Sequence, residues 1–415
     1  MKICVIGQGY IGIPTSALFA KNNCQVTGVD IDKNKVEQIN KGQIPIEEPK
    51  LQEILEEVIN NGSYRARMEP VESDVYIITV PTPFNKEDLS CNLDYVVSAC
   101  NSIISLVKKD DVIIVESTIA PLSIEKVVKP IFEQEGFTVG KDLYLAHCPE
   151  RVLPGNMVSE LINNNRIVGG VTPECARKAA EVYGIFVKGN IIETEAKVAE
   201  MSKCMENTFR DVNIALANEL TKICYELDIN VLDVIKIANQ HPRVNIHSPG
   251  PGVGGHCLAI DPYFIYSLVP DEAKIIKLAR DTNNSMPLFV ANQVKRILSH
   301  KDKEVVSVFG LSYKGNSDDD RESPSYEIIR LLENDYEIRI YDPHIPQKSL
   351  TFEEAITDSD LIVILADHNE FKHLDYDLLA EKMDEPVIFD TKNVINPENV
   401  DSRITLINYG NLKSY

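Results

Sequence analysis

The sequence predicts an α/β protein with two Rossmann-like, doubly wound parallel-sheet domains joined by a central helical domain that contains one long helix. Three observations support this prediction. Short β-rich runs alternate with helical patterns in the amino-terminal part of the chain. A central stretch of more than thirty residues contains neither Gly nor Pro, and the β/α alternation then restarts. We place the three domains at residues 1–192, 193–300 and 301–415.

The amino-terminal domain begins with a buried strand, Lys2–Ile6, followed by a glycine-rich turn and an apolar helix that ends near Ala20. A second strand, Gln25–Val29, leads to Asp30 and Asp32. Further β-rich runs lie at 75–80, 112–116 and 143–146. Helical patterns between these runs predict a parallel sheet that is covered by helices on both faces.

The central region reads as one helix over 193–227, which at about 1.5 Å per residue would span roughly 50 Å. A helix of this length commonly bridges two domains and offers a dimer face. Its large apolar residues predict that much of it is buried: Met201, Met205, Phe209, Ile214, Leu216 and Leu220. A later helix is predicted at 287–298.

The carboxyl-terminal domain repeats the β/α pattern on a smaller scale. Strands are predicted at 304–309, Glu337–Tyr341, 361–365 and Val387–Asp390, with a helix at 325–333. The first strand ends at Gly310 and the second at Asp342, so the two α/β units have a similar layout.

Composition narrows the function classes. The apolar fraction of 44% is that of a globular protein, and the net charge of −21 opposes binding to nucleic acid or to anionic membranes. There is no apolar run of membrane-spanning length and no signal peptide, so we expect a cytoplasmic protein. Nine cysteines without any Cys-x-x-Cys spacing predict reduced, mostly buried thiols rather than a disulfide framework or a metal site.

Gly7, Gly9 and Gly12 form a Gly-x-Gly-x-x-Gly motif between a strand and a helix, and Asp30 lies at the end of the next strand. This context predicts a dinucleotide site in which the helix start faces the pyrophosphate and the Asp30 carboxylate accepts from ribose hydroxyls. A 2′-phosphate at 4 Å from that carboxylate would be repelled by about 4 kcal/mol at an effective dielectric of about 20. NAD is therefore favoured over NADP, although a purely structural strand–turn–helix is the alternative.

Two further polar segments follow predicted parallel strands: Val80-Pro81-Thr82-Pro83 and Glu116-Ser117-Thr118. Ligands bind at the carboxyl ends of strands in open α/β sheets, so these segments are candidates for lining the cofactor cleft. Taken alone, they are ordinary turn residues.

Cys257 ends a glycine-rich run that begins at Pro249, and Asp261 follows four residues later. A thiolate beside a nicotinamide site can capture an aldehyde, and a second oxidation then leaves a thioester that water cleaves. Lys203 and Asn207 share a face of the long helix and could stabilise an oxyanion or position a water, or they could be a solvated surface pair. Arg243 could bind a phosphate or be a surface residue.

If a helix begins near Cys257, its amino-terminal dipole would lower the pKa of the thiol. The glycines of the run would let backbone amides approach a ligand closely. Lys314 and Arg321 follow the first strand of the second α/β unit and could supply positive charge for a diphosphate. An acid-rich surface loop is the competing interpretation of that segment.

In this order, the motifs resemble those of the UDP-sugar 6-dehydrogenases, and the resemblance covers nearly the whole chain. It implies an NAD domain, a central helical domain and a UDP-binding domain. It also implies that Cys257 is the nucleophile, that Lys203 stabilises negative charge, and that Glu150 acts in thioester hydrolysis. Asn207, Asp261 and Thr118 would hold the catalytic water.

The resemblance also implies two sets of binding residues. Those for the cofactor are Gly7, Gln8, Gly9, Tyr10, Ile11, Gly12, Asp30, Asp32, Pro81, Thr82, Ser117, Thr118 and Arg321. Those for the substrate are Glu150, Arg151, Val152, Lys203, Asn207, Arg210, His241, Arg243, Asn245, Gly252, Gly254, Gly255, Tyr313 and Lys314. A homodimer or higher homo-oligomer is expected, with Arg243 reaching the nucleotide sugar across the interface.

The glycine run distinguishes branches of this family. UDP-glucose enzymes commonly carry Gly-Gly-Ser-Cys, whereas this chain has Gly254-Gly255-His256-Cys257. Together with the segment from His241 to Ile246, this is more similar to the UDP-N-acetyl-D-mannosamine dehydrogenases. The UDP-N-acetylglucosamine branch has a similar loop, so the configuration at C2 stays open. The expected reaction is four-electron oxidation at C6 to a uronate.

Three other functions remain open at this stage. A hydroxyacid-type dehydrogenase would need neither the cysteine nor a second nucleotide-binding unit. A nucleotide-sugar sensor without catalysis would bind the same ligand, although every expected catalytic position is present. A sugar epimerase would need Tyr-x-x-x-Lys on a helix, and the match from Tyr409 to Lys413 lies in the carboxyl-terminal tail.

Overall fold

The computed structural model describes residues 1–44, 48, 50–152, 155–299, 305–383 and 386–415. The chain forms two compact units: residues 1–206 with 263–269, and residues 207–262 with 270–415. Within the described residues, none of the helices combines the length and the apolar character that crossing a bilayer requires.

The first unit contains a sheet whose eight strands, within the described residues, are ordered β3-β2-β1-β4-β5-β6-β7-β8. The strands are β1 (Lys2–Ile6), β2 (Gln25–Val29), β3 (Tyr64–Arg67), β4 (Val75–Ile78), β5 (Val112–Val115), β6 (Tyr144–His147), β7 (Arg166–Gly170) and β8 (Ile191–Glu195). Neighbouring strands are parallel except β6 and β7, which pair antiparallel. Strand order reverses between β1 and β4, which is where doubly wound sheets bind ligands.

Helices cover both faces of this sheet. They are α1 (Gly12–Lys21), α2 (Lys33–Asn40), α3 (Leu51–Asn60), α4 (Asp94–Ile103), α5 (Lys129–Gln134), α6 (Met157–Asn163) and α7 (Pro173–Tyr183). Alternate residues of the buried strands contribute to two separate apolar cores, with Ile3 and Val5 in one and Cys4 and Ile6 in the other. This alternation is expected of a sheet that is buried on both sides.

Helix α8 (Ala196–Leu227) begins in the first unit and ends in the second. The helices that follow it are α9 (Val231–Ala238), α10 (Asp261–Tyr266), α11 (Lys274–Asn284), α12 (Met286–Leu298), α13 (Pro324–Leu332), α14 (Phe352–Ile356) and α15 (Tyr376–Lys382). The second sheet, ordered β10-β9-β11-β12-β13, is entirely parallel within the described residues. Its strands are β9 (Val305–Phe309), β10 (Glu337–Tyr341), β11 (Leu361–Ile364), β12 (Val387–Asp390) and β13 (Thr405–Asn408).

The predicted fold class is confirmed, and two expectations for the long helix are wrong. Residues 193–195 belong to β8, because this Glu-Thr-Glu segment pairs in parallel with β7, and the helix therefore starts at Ala196. Its large apolar side chains are not mostly buried: Phe209 is 62% exposed and Leu216 is 53% exposed. They form an apolar stripe that the single chain leaves uncovered. The first residue of the predicted strand at 304–309 lies outside the described residues.

The start of the second sheet repeats the turn geometry of the first. Gly7 and Gly310 both have positive φ, and each donates its N–H to the last residue of the adjacent strand, Val29 or Tyr341. The next N–H, that of Leu311, donates to Asp342 at 2.7 Å, as that of Gln8 donates to Asp30 at 2.9 Å. The two units therefore share the hydrogen bonding of this glycine turn as well as an α/β architecture.

In the second unit, a histidine side chain contacts the carboxylate of Asp342, which corresponds to Asp30 in the first unit. His368 is fully buried, its Nε2 lies 3.2 Å from Asp342 Oδ2, and its Nδ1 accepts from the N–H of Asn316 at 2.9 Å. Both ring nitrogens are therefore engaged by the protein. Although His344 and Glu370 place further potential ligand atoms nearby, the engaged ring argues against a metal site here.

Candidate active site

The glycine turn at the start of α1 has the geometry of a phosphate-binding loop. A Cβ at Gly12 would lie 1.8 Å from Gly7 O, and one at Gly7 would lie 2.7 Å from Thr79 O, so packing requires glycine at both positions. Around Gly9, in contrast, a Cβ would meet no atom within 4 Å. Helix α1 has no side-chain cap and no acidic residue in its first turn. Ile13 N and Thr15 N already donate to Gly9 O and Ile11 O, and Pro14 has no N–H, so the Gly12 N–H is the group at the helix start that an anion would meet.

Asp30 lies at the end of β2 and is nearly buried. One carboxylate oxygen accepts from Gln8 N and contacts Lys35 Nζ, each at 2.9 Å, and the other accepts from Asp32 N at 3.0 Å. An ionised carboxylate offers about four lone-pair positions, so ribose hydroxyls can still donate to it. Asp32 has a second role, because its side chain caps α2.

Gln8 is a cofactor candidate whose side chain faces the protein interior. Its amide donates to Val5 O at 2.9 Å and accepts from the hydroxyls of Ser16 and Tyr64. The residue is fully buried, and its backbone N–H already donates to Asp30. The neighbouring Tyr10, in contrast, is 39% exposed.

The polar segments after β4 and β5 are hydrogen-bonded to each other. Thr82 Oγ1 donates to Thr118 O, and Ser117 Oγ donates to Val80 O, both at 2.6 Å. These hydroxyls hold two neighbouring strand ends together, while Pro81 is exposed beside them. The Thr118 hydroxyl has no hydrogen-bond partner in the part of the chain that the structure describes, so it remains available to a ligand or water.

Lys203 is a buried cation on the first-unit segment of α8, and no acid among the described residues forms an ion pair with it. His147 lies close enough for the Lys203 charge to act on it, and burial together with that charge lowers the pKa of His147 to about 3. The neutral imidazole donates from Nδ1 to Val115 O at 2.8 Å. An unpaired buried ammonium is suited to stabilising negative charge that develops on a substrate.

Glu150 belongs to a buried charged cluster that the sequence interpretation missed. Its Oε2 lies 3.0 Å from Arg166 Nη1, and Arg166 Nη2 donates to Glu116. Arg166 Nε also donates to Cys148 Sγ at 3.1 Å, and the guanidinium stacks 4.0 Å above the Tyr183 ring. The only available sequence signal was an arginine at the start of a short apolar strand, which does not reveal its partners.

The loop that carries Cys257 is attached to α8 at both ends. Asn218 Oδ1 accepts from Gly250 N at 2.9 Å, and Asn207 Nδ2 donates to Asp261 Oδ2 at 2.6 Å. The two asparagines are eleven residues apart, close to three helical turns at 3.6 residues per turn, so they lie on one face of α8. We call this arrangement the asparagine clamp. Cys257 lies between its two ends, and its side chain is exposed.

Asp261, not Cys257, is the first residue of α10. The carbonyl of Cys257 accepts from the N–H groups of Ile260 and Asp261 in the turn that precedes the helix. The expected distance of one turn between Cys257 and Asp261 is therefore present, but the helix starts one turn later than the sequence suggested. The proposed effect of a helix dipole on the thiol stays a prediction.

The glycines before Cys257 allow the loop to pack closely against other parts of the second unit. Cβ atoms at Gly254 and Gly255 would lie 2.8 Å from Tyr313, and one at Gly252 would lie 2.9 Å from Pro324. The Gly255 N–H is already used, because it donates to Arg321 O at 3.1 Å. Protein packing therefore accounts for these glycines without a ligand, a role that sequence alone did not indicate.

The Asn218 end of the asparagine clamp is hydrogen-bonded into a buried polar network. Asn218 Nδ2 donates to Asn283 Oδ1 at 2.9 Å, and Asn283 Nδ2 donates to Asp211 Oδ1 at 2.8 Å. Asp211 in turn forms an ion pair of 2.6 Å with Arg280, and both side chains are almost fully buried. These bonds link helices α8 and α11 to Gly250, at the start of the loop that carries Cys257.

The remaining candidates, Arg321 for the cofactor and the others for the substrate, differ in their surroundings. Arg151 Nη1 forms an ion pair of 2.6 Å with Glu206, and Val152 packs against an apolar core. Arg321 pairs with Asp319 at 2.7 Å, and Lys314 is half-buried in the same loop. The other four side chains are exposed: Arg210, His241, Arg243 and Asn245.

Comparison with protein families matches three successive segments of the chain. Residues 1–187 match the NAD binding domain of the UDP-glucose/GDP-mannose dehydrogenase family. Residues 197–285 match its central domain and residues 307–397 its UDP binding domain.

Individual relatives extend the similarity over nearly the full chain. A UDP-N-acetyl-D-mannosamine dehydrogenase of Methanococcus maripaludis is 47% identical over 406 residues, covering 95% of this chain and 93% of the relative. An NDP-N-acetyl-D-galactosaminuronic acid dehydrogenase of Ralstonia solanacearum is 41% identical, covering 94% and 96%. The solved structure of the UDP-N-acetyl-mannosamine dehydrogenase of Staphylococcus aureus is 52% identical, with a TM-score of 0.92 over 100% of this chain and 99% of that chain.

Proposed function

The chain belongs to the UDP-glucose/GDP-mannose dehydrogenase family, and on this premise we propose that it oxidises UDP-N-acetyl-D-mannosamine at C6. The protein is an NAD-dependent oxidoreductase. The proposed product is UDP-N-acetyl-D-mannosaminuronate. UDP-N-acetyl-D-glucosamine and UDP-glucose are the alternative substrates. The domain limits at 192/193 and 300/301 and the cytoplasmic location remain proposals from the sequence.

The residues at the first glycine turn fit NAD. The open space around Gly9 and the uncapped start of α1 suit a pyrophosphate, and the Asp30 carboxylate suits ribose hydroxyls but opposes a 2′-phosphate. Bound NAD⁺ supplies the hydride acceptor for each of the two oxidations. The Thr118 hydroxyl and the exposed Pro81 would line the cofactor site at the same edge of the sheet.

In the proposed mechanism, Lys203 stabilises the negative charge that develops on the C6 oxygen during the first oxidation. The Cys257 thiolate then adds to the C6 aldehyde and forms a thiohemiacetal. The second oxidation converts this adduct to a thioester, which water hydrolyses to the carboxylate and the free thiol. Across both oxidations the sugar loses four electrons.

Hydrolysis requires a positioned water and a base. Asn207 and Asp261, joined by the 2.6 Å hydrogen bond of the clamp, are proposed to hold the water together with Thr118. Glu150 is proposed to accept its proton. Proton transfer by a positioned side chain typically contributes about 10²–10⁴-fold to a rate.

The observation that carries this proposal is the exposed Cys257 on a loop held at both ends by one helix. The test is to offer the purified protein several UDP-sugars and to count NADH formed per sugar consumed. We expect two NADH per UDP-N-acetyl-D-mannosamine. One NADH per sugar would contradict the thioester mechanism, and no NADH from any UDP-sugar would favour the sensor.

A matched pair of variants tests the thiol itself. Cys257→Ser should abolish uronate formation while keeping the fold, whereas Cys91→Ser, a half-buried control, should retain activity. Full turnover by Cys257→Ser would contradict the mechanism.

We also propose that the chain forms a homodimer through α8. The exposed apolar stripe includes Met205, Phe209, Leu216 and Leu227, the last of which is 63% exposed. An uncovered stripe of this kind is typical of an interaction site. Arg243 is proposed to reach the nucleotide sugar of the partner subunit. Light scattering should give a dimer or a higher multiple for the native chain and a monomer for Phe209→Glu.

A further inference from the structure

The buried cluster around Arg166 contains more acidic groups than basic ones. Arg166 joins Glu116 at the end of β5 to Glu150 just after β6, and the exposed fractions of the three side chains are 6%, 0% and 11%. The antiparallel pairing of His147 with Gly169 sets the register that brings Arg166 opposite Glu150. The cluster is thus built by the one antiparallel strand pair among the described strands of the sheet.

Of the described groups around the cluster, Cys148 and Tyr183 add no positive charge, and the Arg151 guanidinium beside Glu150 is paired with Glu206. Burial raises the pKa of Cys148 to about 12, and burial likewise raises the pKa of Tyr183 far above its usual value. Both groups are therefore neutral at physiological pH. Two ionised carboxylates beside one guanidinium would leave a net negative charge in a site from which water is excluded, which is costly.

The hydrogen bonding of the two carboxyl groups indicates where a proton would reside. Among the described residues, Oε2 of Glu116 is buried without a hydrogen-bond partner, and Oε2 of Glu150 has no well-aligned donor although Arg166 Nη1 lies 3.0 Å from it. Glu150 Oε1 accepts from Arg151 N at 2.6 Å. Burial raises the pKa of Glu116 well above the ordinary carboxyl value, and the neighbouring Glu150 charge adds to this effect.

We infer that Glu116 and Glu150 share one proton beside Arg166, held mainly on Glu116, so that Arg166 and Glu116 hold Glu150 in place as the hydrolytic base. This inference deepens the proposed function and rests on it. Arg166 and Glu116 are positioning residues, because they act through Glu150 and not on the substrate. In hydrolysis, Glu150 takes a proton from water while the water oxygen bonds to the thioester carbon and the Cys257 thiolate leaves.

A substrate-free measurement tests the shared proton. Infrared difference spectra of the wild type minus Glu116→Gln, recorded across the neutral and mildly alkaline range, should show the carbonyl band of one protonated carboxyl group. Other acids with raised pKa values, such as Glu200 at about 7, occur in both samples and cancel. Absence of the difference band would overturn the inference, and this result does not depend on which sugar the enzyme oxidises.

Rapid-mixing kinetics with UDP-N-acetyl-D-mannosamine test the positioning role. Arg166→Met should still release two NADH per active site in the first turnover, because the oxidations do not use Glu150. Its steady-state rate should then fall by about 100-fold, a typical contribution of a positioned base. Arg166→Lys should recover part of this loss, since it keeps the charge but not the guanidinium fork.

Arg177→Met, in the same unit, is the matched control, because the ion pairs that Arg177 forms with Glu174 and Glu181 are exposed. It should behave as the wild type. An equal slowing of the NADH burst and of the steady state in Arg166→Met would overturn the inference, as would equal behaviour of Arg166→Met and Arg177→Met. If Arg166→Met does not fold, the kinetics of Arg166→Lys and the infrared measurement test the inference in its place. Absence of NADH from the wild type with every UDP-sugar would instead refute the proposed function.

Discussion

Replacing Asn218 by leucine tests whether the asparagine clamp holds the Cys257 loop. Asn218 is fully buried, accepts from Gly250 N and donates to Asn283 Oδ1, each at 2.9 Å. Leucine has a similar volume but neither donates nor accepts. The substitution therefore removes two hydrogen bonds from the site with little change in packing volume.

The expected cost follows from the groups that lose their partners. Gly250 and Asn283 are both buried, so one N–H donor and one carbonyl acceptor would be left unsatisfied. Each such group costs about 1–3 kcal/mol. We therefore expect the free energy of unfolding to fall by about 2–6 kcal/mol. This is a large fraction of the 5–15 kcal/mol that typically stabilises a folded protein.

Chemical denaturation should show this loss as a lower midpoint with an unchanged slope. Hydrogen exchange read by mass spectrometry should also show faster exchange at Gly250, whose amide loses its acceptor. Asn213→Leu is the matched control, because Asn213 lies on the same helix and, among the described residues, its side chain bonds to Phe209 O alone, near the surface. A free energy of unfolding within about 0.5 kcal/mol of that control would refute the clamp.

Three other substitutions have defined outcomes. Asp30→Ala should weaken NAD binding and reduce the preference for NAD over NADP, as measured by KM for both cofactors, and an unchanged preference would contradict the assignment. Gly12→Ala should abolish NAD binding in a calorimetric titration, because the added Cβ would lie 1.8 Å from Gly7 O. Arg280→Met should lower the free energy of unfolding by about 3–5 kcal/mol at neutral pH, because it leaves the buried Asp211 charge unpaired. Burial raises the pKa of Asp211, so folded Asp211 takes up a proton more readily than the unfolded chain and the loss should shrink as pH falls. A loss that grows on acidification would contradict this sign.

The local pattern of the sequence was sufficient for most strands of the two sheets. Lys2–Ile6, Gln25–Val29, Glu337–Tyr341 and Val387–Asp390 match the observed strands, because short apolar β-rich runs between turns have few other stable conformations. The glycine turn was equally predictable, since its three glycines have separate steric or ligand-contact reasons.

Long-range partners could not be predicted. Nothing in the local sequence says that Arg166 meets Glu116 and Glu150, because the antiparallel pairing of β6 with β7 decides this contact. The exposure of Phe209 was missed for a related reason. An apolar stripe on a helix indicates only that its side chains avoid water. It does not indicate whether residues of the same chain or of another copy bury them.

The histidine that fills the second glycine turn has a consequence for redesign of this protein. Shortening His368 to alanine would uncover the Asp342 carboxylate in an orientation set by the same backbone contacts as that of Asp30. The helix start that would face a phosphate is nevertheless missing, since α13 begins at Pro324, fourteen residues after Gly310, whereas α1 begins at Gly12, five residues after Gly7. The carboxyl-terminal sheet thus offers a starting point for engineering a nucleoside receptor, and converting it into a second dinucleotide receptor would require rebuilding the whole turn.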